Sequence, residues 1–342
     1  MSTAYVYDPL YLEHDMGQHP ENRRRLEQTM KHLQDAGFLD RMRPLQARDA
    51  SIEEVSAVHH PDYIMQVRDA AEGRGGWLDA DTYVGLRSYA AALRAAGGLL
   101  CAVEAVLEHE VDNAFALVRP PGHHAIANRA MGFCLFNNIA IAARYALHRH
   151  NLERVLIVDF DLHHGNGTQD AFYEEPRVLF FSTHQYPYYP GTGHWQETGR
   201  GIGQGYTVNV PLPAGTGDMG YQQVFDEILV PLAWRYQPQL ILASAGYDAH
   251  WMDPIGMMLL SVSGFANMVR TLVTLANKLC AGRLVLTLEG GYNLEALAYC
   301  IAATFSILLG DETVHDPLGS AAQREQPVEA VISAVKRVHG LP

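Results

Sequence analysis

Lysine and arginine are in short supply, 25 against 38 aspartates and glutamates, which leaves a formal net charge of −13. Binding a phosphate backbone needs clustered basic side chains, so no direct contact with nucleic acid is expected. The acidic balance is compatible with a cationic substrate but too common to point to one. Cysteine is scarce as well. Cys101, Cys134, Cys280 and Cys300 form no Cys-x-x-Cys pair and stand in apolar contexts, which favours free buried thiols in a reducing compartment over disulfides or a zinc knuckle. No uninterrupted apolar run reaches the roughly 18 residues that would span a bilayer, and Met1-Ser-Thr-Ala-Tyr5 lacks a basic region followed by an apolar one. No membrane partner is expected, and a cytoplasmic enzyme is the default. Internal repeats, low-complexity tracts and linkers rich in Pro, Gly or Ser are also missing, so nothing divides the 342 residues into domains.

What the chain does have is hydrophobic residues at 48%, enough for a large core and against disorder, and 17 histidines. Two pairs, His123-His124 and His163-His164, adjoin glycine, and a third pair, His59-His60, lies elsewhere. Apolar runs read as short strands at 4–7, 115–118, 155–159, 178–181, 206–210, 240–243 and 284–288. Helical patterns fill most of the intervals: from Pro20 to Gly37, from Ser51, from His59-His60-Pro61 to the glycines at 73–76, then 89–109, 137–150, 221–236, 263–281, 294–309 and 327–339. Strands alternating with helices predict an α/β fold with a largely parallel sheet covered on both faces, and such sheets bind ligands beyond the carboxyl ends of their strands. Four apolar strands run straight into polar loops bearing glycine, at His123, Asp161, Asp248 and Tyr292.

The stretch Val155-Leu-Ile-Val-Asp159-Phe-Asp161-Leu-His163 organises the chemistry. In an extended chain residues two apart share a face, so Asp159, Asp161 and His163 are expected to point the same way. With Asp248 arriving from another strand, Asp161 and His163 supply two oxygens and one nitrogen, and three protein ligands with a fourth position open is a catalytic metal pattern. Zinc suits the set, as would Fe(II) or another first-row divalent ion. The alternative is that Asp161 and His163 only cap the next helix. His123 and His124 follow Pro-Pro-Gly, a rigid turn, and a histidine beside metal-bound water can take its proton and pass it to a leaving amine. Asp159 behind one imidazole would raise its basicity, and Asn166 could support a second as a neutral partner. The phenol of Tyr292 could donate to a developing oxyanion, although a single tyrosine more often only packs. Phe133 and Tyr189 could wall a narrow apolar channel or belong to the core.

Arg119-Pro-Pro-Gly-His-His124, Met131-Gly-Phe-Cys-Leu-Phe-Asn-Asn138, Asp159-Phe-Asp-Leu-His-His-Gly-Asn-Gly-Thr168, Tyr189-Pro-Gly-Thr-Gly193, Ala245-Gly-Tyr-Asp-Ala249 and Leu288-Glu-Gly-Gly-Tyr-Asn293, in that order, resemble the zinc-dependent histone deacetylase and acetylpolyamine amidohydrolase family. The likeness runs from His19-Pro-Glu21 to about Gly310. It implies one arginase/deacetylase-type α/β domain around a parallel, about eight-stranded sheet, with a core over about 1–310 and residues 311–342 as a helical extension packed on it. It also implies one Zn2+ per chain on Asp161, His163 and Asp248. His124 would be the general base and then acid, His123 an electrostatic partner backed by Asp159, and Tyr292 the oxyanion donor. Gly132, Phe133, Tyr189 and Ile255 would line an acyl-lysine tunnel. The family often binds K+ as well, which here would involve Asp159, Asp161, His163 and Ser182. The implied reaction is hydrolysis of an N-acetyl amide, on an acylated lysine of a protein or peptide or on an acetylated small amine; self-association is left open.

Two departures narrow the branch. Asn166 stands where class I members have aspartate and, with Gly165 and Thr168, resembles class II and its bacterial relatives. Asp253-Pro254 is followed by Ile255 rather than by the acidic residue of the polyamine-preferring branch, which favours acyl-lysine. The rival readings are an acetylpolyamine amidohydrolase, a two-metal ureohydrolase of the arginase kind and a non-catalytic acyl-amine binding module.

Overall fold

Aliphatic and β-branched runs bounded by glycine and polar residues form the strands, and every residue of the central ones is buried. A computed structural model describes residues 2–15 and 17–342; Met1, and Met16 in the loop expected after the first strand, lie outside the described residues. The strands are β1 (Thr3–Val6), β2 (Arg43–Leu45), β3 (Gly76–Trp77), β4 (Tyr83–Val84), β5 (Asn113–Ala116), β6 (Val155–Asp159), β7 (Val178–Gln185), β8 (Thr207–Leu212), β9 (Leu240–Ala245) and β10 (Leu284–Leu288). The α-helices are α1 (Arg24–Asp35), α2 (Ile52–Ser56), α3 (Pro61–Gly73), α4 (Ser88–Leu107), α5 (Asn138–Arg149), α6 (Asn166–Phe172), α7 (Asp218–Val224), α8 (Val230–Tyr236), α9 (Val262–Leu279), α10 (Leu294–Leu309) and α11 (Glu329–His339).

Eight strands form one sheet in the order β2-β1-β5-β10-β9-β6-β7-β8, and every pairing in it is parallel. β3 and β4 make a separate antiparallel hairpin. Helices α4 and α5 pack on β1, β5, β10, β9 and β6, while α1, α9 and α10 form a second layer. This is the expected α/β architecture, and burial on both faces is why the strands read as continuous apolar runs. By length and composition α4 could cross a bilayer, yet it is largely buried against the sheet and serves as a core helix.

Differences from the sequence reading have local causes. The first helix begins at Arg24 rather than Pro20, because Glu21 turns inward as a buried anion. β7 continues four residues past Phe181 through Ser182, Thr183, His184 and Gln185, polar but fully buried. The helix expected at 221–236 starts at Asp218 and contains a π-helical turn, Phe225–Leu229, between α7 and α8. The strand β2 and the β3–β4 hairpin are not marked in the sequence, and α6 enters there only as the helix that Asp161 and His163 would otherwise cap. Cys134, Cys280 and Cys300 are buried and Cys101 half-buried, all four as free thiols. Segment 311–328 is tied down: Asp316 accepts from the Ser263 N–H (2.9 Å), Trp251 Nε1 donates to Gly319 O (2.9 Å), and Glu325 accepts from the Met219 and Gly220 N–H groups. At the sheet margins, β2 has three residues with Pro44 at its centre, and α11 packs against β8.

Candidate active site

The strands β5, β10, β9 and β6 are consecutive neighbours at the centre of the sheet. The four polar loops that follow them therefore open side by side at one end, as parallel connectivity requires.

β6 ends at Asp159. Beyond it the chain bends: the Asp161 N–H donates to Asp159 Oδ1 (3.1 Å) and the His163 N–H to Asp161 Oδ1 (2.9 Å). These carboxylate-to-backbone turns, and not continued strand alternation, place Asp161 and His163 opposite Asp248. The expectation that Asp159, Asp161 and His163 share one extended face is therefore corrected: the strand ends at Asp159 and the other two lie in the turns beyond it. One ligand atom from each of Asp161, His163 and Asp248 lies within 4.8 Å of the others, with all three residues buried.

The cluster fits a divalent cation. Asp248 Oδ1 accepts from the Leu162 N–H (2.9 Å), but Oδ2 has no hydrogen-bond partner although it is 3.2 Å from His163 Nδ1. A buried carboxylate oxygen in that state is costly unless a cation answers it. Burial alone would push the His163 imidazole down; the carboxylates of Asp161 and Asp248 beside it outweigh that and carry it up to about 9. The pocket therefore favours positive charge where a metal would sit. A Cβ on Gly290 would stand 2.3 Å from Asp248 Oδ2, so only glycine leaves the carboxylate its place.

The tandem histidines arrive on the loop after β5. Glu289 Oε2 accepts from the Gly122 N–H (2.7 Å) and the His123 N–H (3.2 Å), while Ser244 Oγ donates to Oε1 (3.1 Å). Glu289 was passed over in the sequence; a charged residue directly after a buried strand was the available signal. His59 also holds this region, with Nδ1 3.0 Å from Ile126 O and Nε2 accepting from the Asn137 N–H (2.8 Å). His123 Nδ1 lies 3.0 Å from Asp159 Oδ2, and His124 Nδ1 lies 2.8 Å from Asn166 Oδ1. The two ring centroids are 4.0 Å apart.

Their environments push the two imidazoles apart. Burial opposes charge on His123, but the carboxylates of Asp159 and Asp161 prevail and raise it to about 10. Burial, then the positive charges on His123 and His163, hold His124 well below the usual histidine range. The surroundings thus favour the cationic form of His123 and the neutral form of His124, in which an Nδ1–H engaged by Asn166 leaves the Nε2 lone pair free.

Tyr292 follows Gly290-Gly291 at the end of β10. Arg25 lies beneath it, 5.0 Å from the ring centroid, and donates to Gly291 O (2.7 Å) and Glu289 O (2.5 Å). Glu21 neutralises Arg25 (3.0 Å) and also binds Arg119. Neither Arg25 nor Glu21 was singled out as part of the site, because their contacts span more than 260 residues of chain in the first case. Burial pushes the Tyr292 phenol well above its usual range, so it stays a neutral donor at pH 7.

A cavity of about 260 Å³ joins these groups. His123, His124, His163 and Tyr292 line it, as do all four expected tunnel residues, Gly132, Phe133, Tyr189 and Ile255. Tyr188 and Asp81, not singled out beforehand, line it too. Tyr189 stands edge-on to His124 at 5.2 Å and Phe133 edge-on to Tyr292 at 5.8 Å. Gly132 has φ +56°, and a Cβ there would stand 2.3 Å from His124 Cδ2. Ser182 lies outside the cavity, opposite Asp159 in the β6–β7 register, with its hydroxyl 3.0 Å from His184 Nδ1.

Comparison with known proteins identifies the family and the fold. Residues 19–308 match the histone deacetylase domain. The chain is 46% identical over 314 residues to a probable deacetylase of Archaeoglobus fulgidus, covering 91% of this chain and 87% of that one. It is 40% identical over 328 residues to the human polyamine deacetylase HDAC10, covering 92% of this chain and 48% of the relative. The crystal structure of the HDA15 HD domain superposes with a TM-score of 0.91 at 35% identity, over 99% of this chain and 94% of that one. With that domain along most of its length and that fold beneath the Asp161, His163 and Asp248 cluster, the chain belongs to the histone deacetylase family, a group of deacetylases and related amidohydrolases.

Proposed function

We propose that this chain is a zinc-dependent deacylase that hydrolyses an N-acetyl amide, with acetyl-lysine in a protein or peptide as the preferred substrate. The observation that carries the reading is geometric: ligand atoms of Asp161, His163 and Asp248 within 4.8 Å of one another, beside a histidine pair in which His123 is backed by Asp159 (3.0 Å) and His124 by Asn166 (2.8 Å). One zinc ion held there would polarise the amide carbonyl and bring the pKa of bound water to about 7. His124 Nε2 takes the proton of the attacking water and later delivers it to the departing amine. His123, charged and backed by Asp159, stabilises negative charge beside it. The Tyr292 hydroxyl donates to the carbonyl oxygen as that oxygen becomes an oxyanion. Gly132, Phe133, Tyr189 and Ile255 surround the acyl-lysine stem and exclude water.

The chain is read as one domain over residues 1–342, with 311–342 an extension on a core ending near residue 310. A structural potassium ion involving Asp159, Asp161, His163 and Ser182 and a cytoplasmic location belong to the same reading. Acetylpolyamines are the second substrate class, favoured by Asp81 at the cavity and by the polyamine deacetylase among the relatives; Ile255 at the rim speaks for the peptide. Rates on an acetyl-lysine peptide and on acetylated spermidine decide between them. For the chemistry, chelation is expected to abolish acetate release and added zinc to restore it. Tyr292→Phe is expected to keep its zinc and lose about 10²- to 10³-fold in kcat, the size of one oxyanion donor. An active Tyr292→Phe enzyme overturns the assignment.

A further inference from the structure

The loop that begins at Asp248 carries a second buried carboxylate. Asp253 is 6% exposed, and its oxygens are taken by backbone. Oδ2 accepts from the N–H groups of Tyr292 (2.6 Å) and Asn293 (2.9 Å), and Oδ1 from the N–H of Ile255 (3.1 Å). Asn293 answers with Nδ2 donating to Met252 O (3.1 Å), so the two loops are clasped in both directions. Capping α10 does not require this. Asn293 is already its N-cap, with Oδ1 accepting from the Ala296 N–H (3.0 Å). Asp253 instead holds the two amides just before the helix, the residues that set where the Tyr292 ring enters the cavity. Arg25 grips the carbonyls of Glu289 and Gly291 on the other side of the same turn. Burial and the nearby charge of Asp248 push the Asp253 carboxyl up to about 7 against these three donors, so the brace rests on the accepted hydrogen bonds themselves, with the Arg25 guanidinium and the Asp253 carboxyl gripping one short segment from opposite sides. The clasp also reaches the rim. The carbonyl of Ile255 accepts from the Tyr188 hydroxyl (2.5 Å), and the Tyr188 ring stacks on His163 at 5.7 Å.

We propose that Asp253 is a positioning residue for Tyr292, fixing its phenol relative to Asp248 and the metal cluster through the backbone clasp between the two loops. The proposal rests on the deacylase reading and on the role given there to Tyr292.

Asp253→Asn keeps the side-chain shape but turns one of the two accepting oxygens into an NH2 group. In zinc-loaded protein assayed on an acetyl-lysine peptide, kcat is expected to fall about 10- to 100-fold, the scale of a displacement approaching 1 Å. KM and zinc content are expected to stay within twofold of the parent. In a Tyr292→Phe background the same substitution is expected to cost nothing further in kcat, because its effect runs through the phenol. Parental kcat in Asp253→Asn overturns the proposal, as does an equal loss with and without the Tyr292 hydroxyl, which would mark a general structural role. Should Asp253→Asn not fold, Asp253→Glu keeps the carboxyl group and shifts it by one methylene; the same non-additive loss is expected, and parental kcat there is equally fatal to the idea. A parent enzyme that releases no acetate overturns the deacylase reading itself, whereas an active parent with an indifferent Asp253→Asn variant overturns only the clasp.

Discussion

Replacing Gly132 by alanine adds one methyl group to the cavity wall, directly against His124. That carbon would stand 2.3 Å from Cδ2 and 2.7 Å from Cγ of His124, whereas non-bonded carbons settle near ~3.5 Å. The ring has to retreat by about 1 Å. It has little room to do so: the His123 ring centroid is 4.0 Å away, the Tyr189 ring stands edge-on at 5.2 Å, and Asn166 holds Nδ1 at 2.8 Å. Close-packed interiors resist such shifts, and a displacement of about 1 Å at a catalytic group can cost ~10²-fold. The backbone adds its own penalty, because φ is +56° at this position and a left-handed conformation costs an L-residue roughly 1–2 kcal/mol. Gly132→Ala is therefore expected to lower kcat about 100-fold and the melting temperature by several degrees, while metal content stays at the parental level because the three atoms nearest the new methyl all belong to His124, which is not one of the proposed ligands. Steady-state kinetics, elemental analysis and thermal melts on the same preparation test all three. A variant within threefold of the parent in kcat, or one whose loss of turnover follows loss of metal, refutes the reasoning.

Asn166→Asp would place a carboxylate where an amide now meets His124 Nδ1 at 2.8 Å. A negative neighbour favours the imidazolium, and the base works only when neutral, so the acid limb of the kcat/KM profile should move to higher pH by about one unit; an unmoved limb argues against His124 as the base. Glu21→Gln would leave Arg25 and Arg119, both with no exposed surface, without their counter-charge, and breaking a buried pair in this way costs about 3–5 kcal/mol. The parent should show the matching acid sensitivity. Burial would raise the Glu21 carboxyl, but Arg119 and Arg25 hold it well below the usual carboxylate range. Its contribution is then complete above the unfolded value near ~4.3 and is lost as pH falls below it. Melting curves between neutral pH and pH 3 should fall more steeply for the parent than for Glu21→Gln, and parallel curves contradict that account.

Legibility in the sequence followed the range of the interactions. β10 and α10 have the bounds read from the chain, because Leu284-Val-Leu-Thr-Leu288, the following glycines and the Asn293 cap are all local signals. The cluster of Asp161, His163 and Asp248 was legible because each residue marks a strand end, and parallel strands must end together. What was hidden depends on partners far along the chain. Glu21 leaves a helix it could have opened because Arg119, 98 residues away, binds it. Polar Ser182 to Gln185 continue β7 because the neighbouring strand β8 pairs with them, which no property of those four residues announces. Asp253 had been noticed only as the residue before Pro254 and Ile255; its three backbone donors become visible once the loops at 253 and 292 lie together.

The margins of the sheet bear on how copies of this molecule can meet. One outer strand offers three residues centred on Pro44, which has no amide hydrogen to give, and at the far side a helix lies against the other outer strand. Strand addition therefore finds poor footing at both ends, and folded copies have no free sheet margin through which to extend one another. A chain shortened before Glu329 would lose that far-side cover, and since only Pro211 of the outer strand then bared lacks an amide hydrogen, Thr207 to Val210 would be open to unwanted pairing.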